Sequence, residues 1–179
     1  RAAMATPVRN VMPVVLDELA RFELAIKKQI GAGSAFHLDA CEQTITAANA
    51  ADLATSLVLV TQIAAVVYGI GQLGAPSPGH LNDDIAHKVK DTTNTRSSAA
   101  AVDLATAITL ANEIKTDYEA HRTSTTFHYT ADATNTIAAA NATDQTSLNT
   151  LLNELKTDIN AHMASAPTTN ASTMRLVAP

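Results

Sequence analysis

Asp103-Leu-Ala-Thr-Ala-Ile-Thr-Leu-Ala-Asn-Glu-Ile-Lys-Thr-Asp-Tyr-Glu-Ala-His121 and Asp144-Gln-Thr-Ser-Leu-Asn-Thr-Leu-Leu-Asn-Glu-Leu-Lys-Thr-Asp-Ile-Asn-Ala-His162 are two versions of one phrase. Asn112, Glu113, Lys115, Thr116, Asp117, Ala120 and His121 return 41 residues later as Asn153, Glu154, Lys156, Thr157, Asp158, Ala161 and His162. The connecting segment repeats at the same offset, with His80, His87, Asp91 and Asn94 returning as His121, His128, Asp132 and Asn135. A diverged copy precedes them. Phe36-His37 matches Phe127-His128, Thr44-Ile45 matches Thr136-Ile137, Asn49 and Asp52 match Asn141 and Asp144, and Leu53-Ala54-Thr55 matches Leu104-Ala105-Thr106. That copy lacks the Asn-Glu-x-Lys-Thr-Asp block and carries an insertion around Gly69 to Gly79. A fixed period of this length is the signature of stacked structural units.

Each unit reads as a linker followed by one helix. Leu148, Leu152, Leu155 and Ile159 are spaced four, three, four, and Ala107, Ala111, Ile114 and Tyr118 hold the same places one period earlier. That is one apolar face at helical period, with charged and amide residues on the remainder. Asn49 and Asn141, each with Asp three residues on, read as N-caps, while the central copy has Ala100 at that place. A further helix is expected before the repeats, where Val14, Val15, Leu19, Phe22, Leu24, Ile26 and Ile30 lie between Pro13 and the Gly31-Ala-Gly33 stop. The expected fold is all-α, with four main helices, three of them in tandem repeats joined by long extended linkers. The expected organisation is an N-terminal arm and helix over 1–35 and a helical domain over 36–166, divided as 36–79, 80–120 and 121–166. A tail over 167–179 follows. Whether successive helices run parallel or antiparallel is left open by the sequence.

The 179 residues carry 12 Lys+Arg against 17 Asp+Glu, a net charge of −5, and this balance argues against a nucleic-acid partner. Ala accounts for 35 residues and Trp for none, so the core must be built by close helix packing with few aromatic anchors. A lone cysteine, Cys41, excludes an internal disulfide framework and a cysteine-rich zinc site. Arg1 to Pro13 has no apolar core of signal-peptide length, and Pro167 to Pro179 reads as an extended arm.

Candidate chemistry is confined to the histidines. The series His80, His87, Asp91 and its copy His121, His128, Asp132 gives His-x6-His-x3-Asp, whose imidazoles and carboxylates are able to ligate zinc or another divalent ion. The spacing matches no recognised metal signature. A structural explanation competes with it, in which His121 and His162 end helices and bond free carbonyls there, while His128 and Asp132 bond linker backbone. The structural explanation is preferred, because retention in two copies suits a repeated joint. No catalytic, cofactor-binding or metal residue is therefore assigned. Glu113 and Asp117, with Lys115 between them, lie off the apolar stripe and read as a solvated face or a contact with a neighbouring helix. The charge-free stretch from Leu53 to Asn82 has the length of a membrane span. It is diluted by Thr55, Ser56, Thr61, Gln62 and Gln72 and cut by Pro76 and Pro78, which favours burial in the core or in a subunit interface. Gly69-x-Gly71-x-x-Gly74 lacks the preceding strand that a dinucleotide fingerprint needs.

The segment Ala107 to Thr125, followed by Phe127-His128, resembles the Ala/Thr/Asn-rich repeats of structural proteins in tailed-bacteriophage virions. The likeness runs from about Phe36 to Ser165. It implies a non-enzymatic particle component, a capsid decoration or tail protein assembled in the host cytoplasm. Its partners would be copies of itself and other virion proteins, with no nucleic acid, no cofactor and no membrane. Two other classes stay open: a helical module holding a metal through His80, His87, His121, His128 and the paired Asp residues, and a membrane-associated protein anchored by Leu53 to Ala75.

Overall fold

Three aspartates start three helices. Asp52, Asp103 and Asp144 are extended, and each carboxylate accepts the backbone N–H three residues on, from Thr55, Thr106 and Ser147. The hydroxyls of those three residues accept in return from the backbone of the Asp, completing a capping box each time. The caps are these aspartates and not Asn49 or Asn141. Asp-x-x-Thr and Asp-x-x-Ser place acceptor and hydroxyl at the two reciprocal positions, which Asn three residues earlier does not do. The computed structural model describes residues 43–69, 79–83 and 86–165. In it α1 spans Leu53–Tyr68, α2 Leu104–Arg122 and α3 Gln145–Met163, with a single 3-10 turn at His80–Asn82. The described residues form helices and contain no strand, so the chain is all-α over this region. The helix expected between Pro13 and Gly31 lies outside the described residues, as do Cys41 and the tail from Pro167.

Each helix packs on both others. The apolar stripes meet at the centre: Ala107, Ala111, Ile114 and Tyr118 of α2 and Leu148, Leu152, Leu155 and Ile159 of α3 are all fully buried. From α1 come Leu59, Val60, Ile63 and Val67. The charge-free helix thus finds most of its cover inside the chain, and Leu53 and Val58 are its exposed large apolar side chains. No helix among the described residues is long and apolar enough to cross a membrane. The stretch that begins at Leu53 stops as a helix at Tyr68.

The three helices run parallel. Near the first turns, the Ser56 hydroxyl of α1 meets the Asn149 amide oxygen of α3 at 2.7 Å, and the Gln145 amide donates to Ser56 at 2.9 Å. Near the other end, the Tyr68 hydroxyl donates to the Asp117 carboxylate of α2 at 2.6 Å. Parallel neighbours require each linker to return the length of a helix. An irregular chain lying on a bundle must find partners for its backbone groups, and the Asn-Glu-x-Lys block supplies them. Glu154 accepts from Ala138 and Ala139 N–H at 2.6 and 2.8 Å, and Glu113 from Ser97 and Ser98 at 2.6 and 3.0 Å. Gln62 does the same for Thr46 and Ala47, at 3.0 and 2.6 Å. Asn112 makes a two-way amide pair with Ala142, at 3.0 and 2.8 Å, and Asn153 with Ala50, at 3.0 and 2.7 Å. Lys115 and Lys156 donate to Ala139 and Ala47 carbonyls at 2.6 and 2.7 Å. Glu113, read from sequence as a solvated or helix-contacting position, is therefore a grip on the linker of its own helix. The pairs of Asn153 with Ala50, and of Asn160 with Ile45 at 2.8 and 3.0 Å, tie the last described helix to the first described linker.

Two glycines shape the end of α1. Gly69 ends it at φ 71°, the left-handed geometry that glycine adopts without strain. At Gly79 a Cβ would lie 2.1 Å from the Gly69 nitrogen and 2.2 Å from the Tyr68 carbonyl carbon. The chain therefore comes back against the end of α1 where only a residue without a side chain fits, and it delivers His80 there. Of the Gly69-x-Gly71-x-x-Gly74 series, Gly71 and Gly74 lie outside the described residues.

Candidate metal centre

Parallel packing brings the three C-terminal ends together, and with them the histidines. His121 is in the last turn of α2, His162 in the last turn of α3, and His80 opens the 3-10 turn beside the end of α1. His87 and His128 come from the linkers that follow. One ring nitrogen from each of the five lies within 4.8 Å of every other, and all five residues are 0 % exposed.

The tautomers follow from the partners. His87 Nδ1 is 2.8 Å from the Asp83 carbonyl oxygen and His128 Nδ1 is 3.2 Å from that of Ser124. A carbonyl only accepts, so both Nδ1 atoms carry hydrogen. His121 Nδ1 donates to the Asp91 carboxylate at 3.1 Å and His162 Nδ1 to that of Asp132 at 2.8 Å. In these four rings the Nδ1 edge is tied outward, which turns a basic Nε2 inward. His87 Nε2 and His121 Nε2 face each other at 3.1 Å. Two neutral imidazoles whose protons sit on Nδ1 present lone pairs to one another at that distance, an arrangement a cation between them relieves. At metal–nitrogen lengths of about 2.0–2.1 Å, neighbouring ligands stand roughly 2.9–3.4 Å apart.

The carboxylates that hold His121 and His162 are themselves held by matching sets of bonds. Asp91 accepts from the Thr93 N–H and hydroxyl, both at 2.9 Å, and from Asn94 N–H and Nδ2 at 3.1 and 2.6 Å. Asp132 repeats the set with Thr134 at 2.8 and 2.9 Å and Asn135 at 3.1 and 2.6 Å. Burial pushes these carboxyls up, but the bonds from His, Asn and Thr outweigh it and hold both well below the usual carboxylate range. Both therefore stay anionic and orient their imidazoles. Burial, reinforced by the neighbouring histidines, pushes the His87 imidazole down to about 3. Burial likewise takes His121 down to about 4 against the opposing Asp91. His128 and His162 are lowered too, by burial above all. The rings are neutral at physiological pH, as metal ligation requires. The C-terminal ends of α2 and α3 point their carbonyl dipoles at the cluster and add a field that favours a cation.

His80, His87, His121 and His128, noted in sequence as candidates, are all brought together. The accompanying Asp91 and Asp132 are not among the converging groups; they hold the imidazoles that are. His121 and His162 do not bond the free carbonyls of their helix ends, as the preferred structural explanation had it, because a carboxylate from the neighbouring linker takes each Nδ1. His162 was missed as a candidate, although its place 41 residues after His121 marks it. His37, the sequence counterpart of His87 and His128, lies outside the described residues.

An Asp91→Asn substitution keeps the size of the orienting group and removes its charge. Metal affinity is expected to fall by about 10–100-fold, read by isothermal titration with Co(II), while the far-ultraviolet circular dichroism stays unchanged. An unaltered affinity would show that this carboxylate does not support a ligand. No family model, curated protein or solved structure matches the chain.

Proposed function

We propose that the protein is a non-enzymatic structural module of three tandem helical repeats, closed into a ring and pinned at one end by a single divalent transition-metal ion. The observation that carries this reading is the convergence of five buried imidazoles at the helix C-termini, four of them with Nδ1 anchored outward. His80 stands beside the end of α1 and His121 and His162 lie in the last turns of α2 and α3, so the ion joins all three helices at once. Five imidazole nitrogens converge where catalytic zinc typically has three protein ligands, and this fuller protein donor set supports a structural role. The Asn and Lys side chains clasp the linker of the neighbouring unit, and the ion completes the same task at the other end of the bundle. The setting that the resemblance implies for such a scaffold is a bacteriophage particle, as a self-associating capsid decoration or tail component, where a metal pin adds rigidity without chemistry.

Elemental analysis tests the metal. After exposure to Fe(II), Co(II), Ni(II), Cu(II) and Zn(II) and removal of loose ions by gel filtration, close to one ion per chain is expected. His121→Ala is expected to lose it. Protein that emerges free of all five metals would remove the reading.

A further inference from the structure

We propose, resting on the metal-centre reading above, that the coordination sphere is octahedral with five imidazole donors and a sixth position outside the histidine set, suited to Fe(II), Co(II) or Ni(II) and poorly suited to Zn(II). The adjacency of the rings gives the geometry. His80, His121 and His162 form a triangle, with ring centres 5.0, 5.0 and 5.8 Å apart, at the ends of the three helical units. His87 stands over one edge of it, 4.7 Å from His80 and 4.7 Å from His121. His128 stands over a second edge, 4.4 Å from His121 and 5.0 Å from His162, and is 4.8 Å from His87. The neighbouring rings are near-perpendicular, at 66–89°, as ligands pointing edge-on at a common centre must be.

A second triangle staggered over the first is an octahedron, in which each upper donor caps one lower edge and lies opposite the remaining lower donor. His87 is thus placed opposite His162, and His128 opposite His80. The sixth position lies over the edge from His80 to His162, opposite His121. A tetrahedron has no place for this pattern, because it accommodates four donors and the fifth must be expelled.

The donor set narrows the ion. Imidazole suits iron, cobalt, nickel, copper and zinc, whereas magnesium, calcium and manganese prefer the oxygens that Asp91 and Asp132 keep for their own partners. No thiolate stands in the described cluster to select copper(I). Copper(II) prefers a tetragonal arrangement, and structural zinc is almost always four-coordinate and tetrahedral. Because raw affinity rises along the series to a maximum at copper, this selection comes from the number and placement of donors.

The test uses the whole chain loaded separately with Co(II) and Zn(II). X-ray absorption on the Co(II) form is expected to return five nitrogen donors in a six-coordinate sphere, with the weak visible bands of six-coordinate cobalt in place of the intense blue of the tetrahedral ion. In equimolar competition the chain is expected to retain Co(II) or Ni(II) in at least tenfold excess over the share that it yields to Zn(II) in a tetrahedral His-rich control site. Intense tetrahedral bands, or four nitrogens around either ion, would overturn the octahedral sphere and leave the metal centre standing. Failure of both ions to bind would remove the centre itself.

Discussion

Saturation with a divalent transition ion is expected to raise the thermal midpoint by roughly 5–11 °C. The magnitude follows from linkage: an ion that binds only the folded chain, at a free concentration 100-fold above its Kd, adds about 2.7 kcal/mol. A chain of this length moves about 2–4 °C per kcal/mol. The ion has no comparable site in the unfolded state, because His80 and His162 lie 82 residues apart in sequence and meet only when the helices are parallel. The metal-free chain is expected to remain helical, since the centre of the bundle is filled by Leu59, Ile63, Leu110, Ile114, Leu152 and Leu155 without help from the ion. In this it differs from a zinc finger, which is unfolded without metal. Differential scanning calorimetry with Co(II) and with chelator checks the shift. In His121→Ala the two curves are expected to coincide. Coincident curves in the unsubstituted protein would mean that the ion, if held at all, pins nothing.

Much of this architecture is legible from the repeat, and the part that is not has definite causes. The apolar stripes mark α2 and α3 because burial must follow the 3.6-residue period. The capping aspartates Asp52, Asp103 and Asp144 were equally visible, but Asn49 and Asn141 compete for the role when hydroxyl positions are ignored. The direction of the helices was hidden. A linker covering 123–144 is long enough to return along a 19-residue helix of about 28 Å, yet it forms no regular structure that a hydrophobic pattern reveals. Without the parallel arrangement, Asn112 and Glu113 read as surface side chains, since their partners are backbone groups of Ala142, Ser97 and Ser98 that carry no sequence signal. The convergence of the histidines was hidden for the same reason. Retention of His80, His87 and Asp91 as His121, His128 and Asp132 reads from sequence as a repeated structural joint. Parallel helices bring equivalent ends together, so residues that recur at one period in the sequence, His80, His121 and His162, meet in one buried cluster. The insertion ahead of Gly79 disguised His80 as a linker residue. It stands beside the end of α1, as His121 and His162 stand at the ends of α2 and α3.

Acid is expected to destabilise the metal-free protein steeply between about pH 6.5 and 4. His87 and His121 titrate at about 3 and about 4 in the folded chain, against about 6.5 when unfolded. Between those values the unfolded chain binds more protons than the folded one, so stability falls as pH falls and is fully present only above about 6.5. At pH 5 each of these two rings costs about 2 kcal/mol, or about 4 together, which is a large part of the 5–15 kcal/mol that holds a typical domain folded. His128 and His162 are lowered in the same direction and steepen the loss. Asp91 and Asp132, depressed by their hydrogen bonds, contribute stability above about pH 4 and lose it below, so the two losses follow one another on the way down. A bound ion competes with these protons for the same nitrogens, and Co(II) is therefore expected to move the acid midpoint to lower pH. Circular dichroism followed from pH 8 to pH 3, with and without Co(II), measures both effects. If the metal-free chain were as stable to urea at pH 5 as at pH 7, His87, His121, His128 and His162 would not be buried neutral together, and the convergence on which a metal centre depends would not exist in solution.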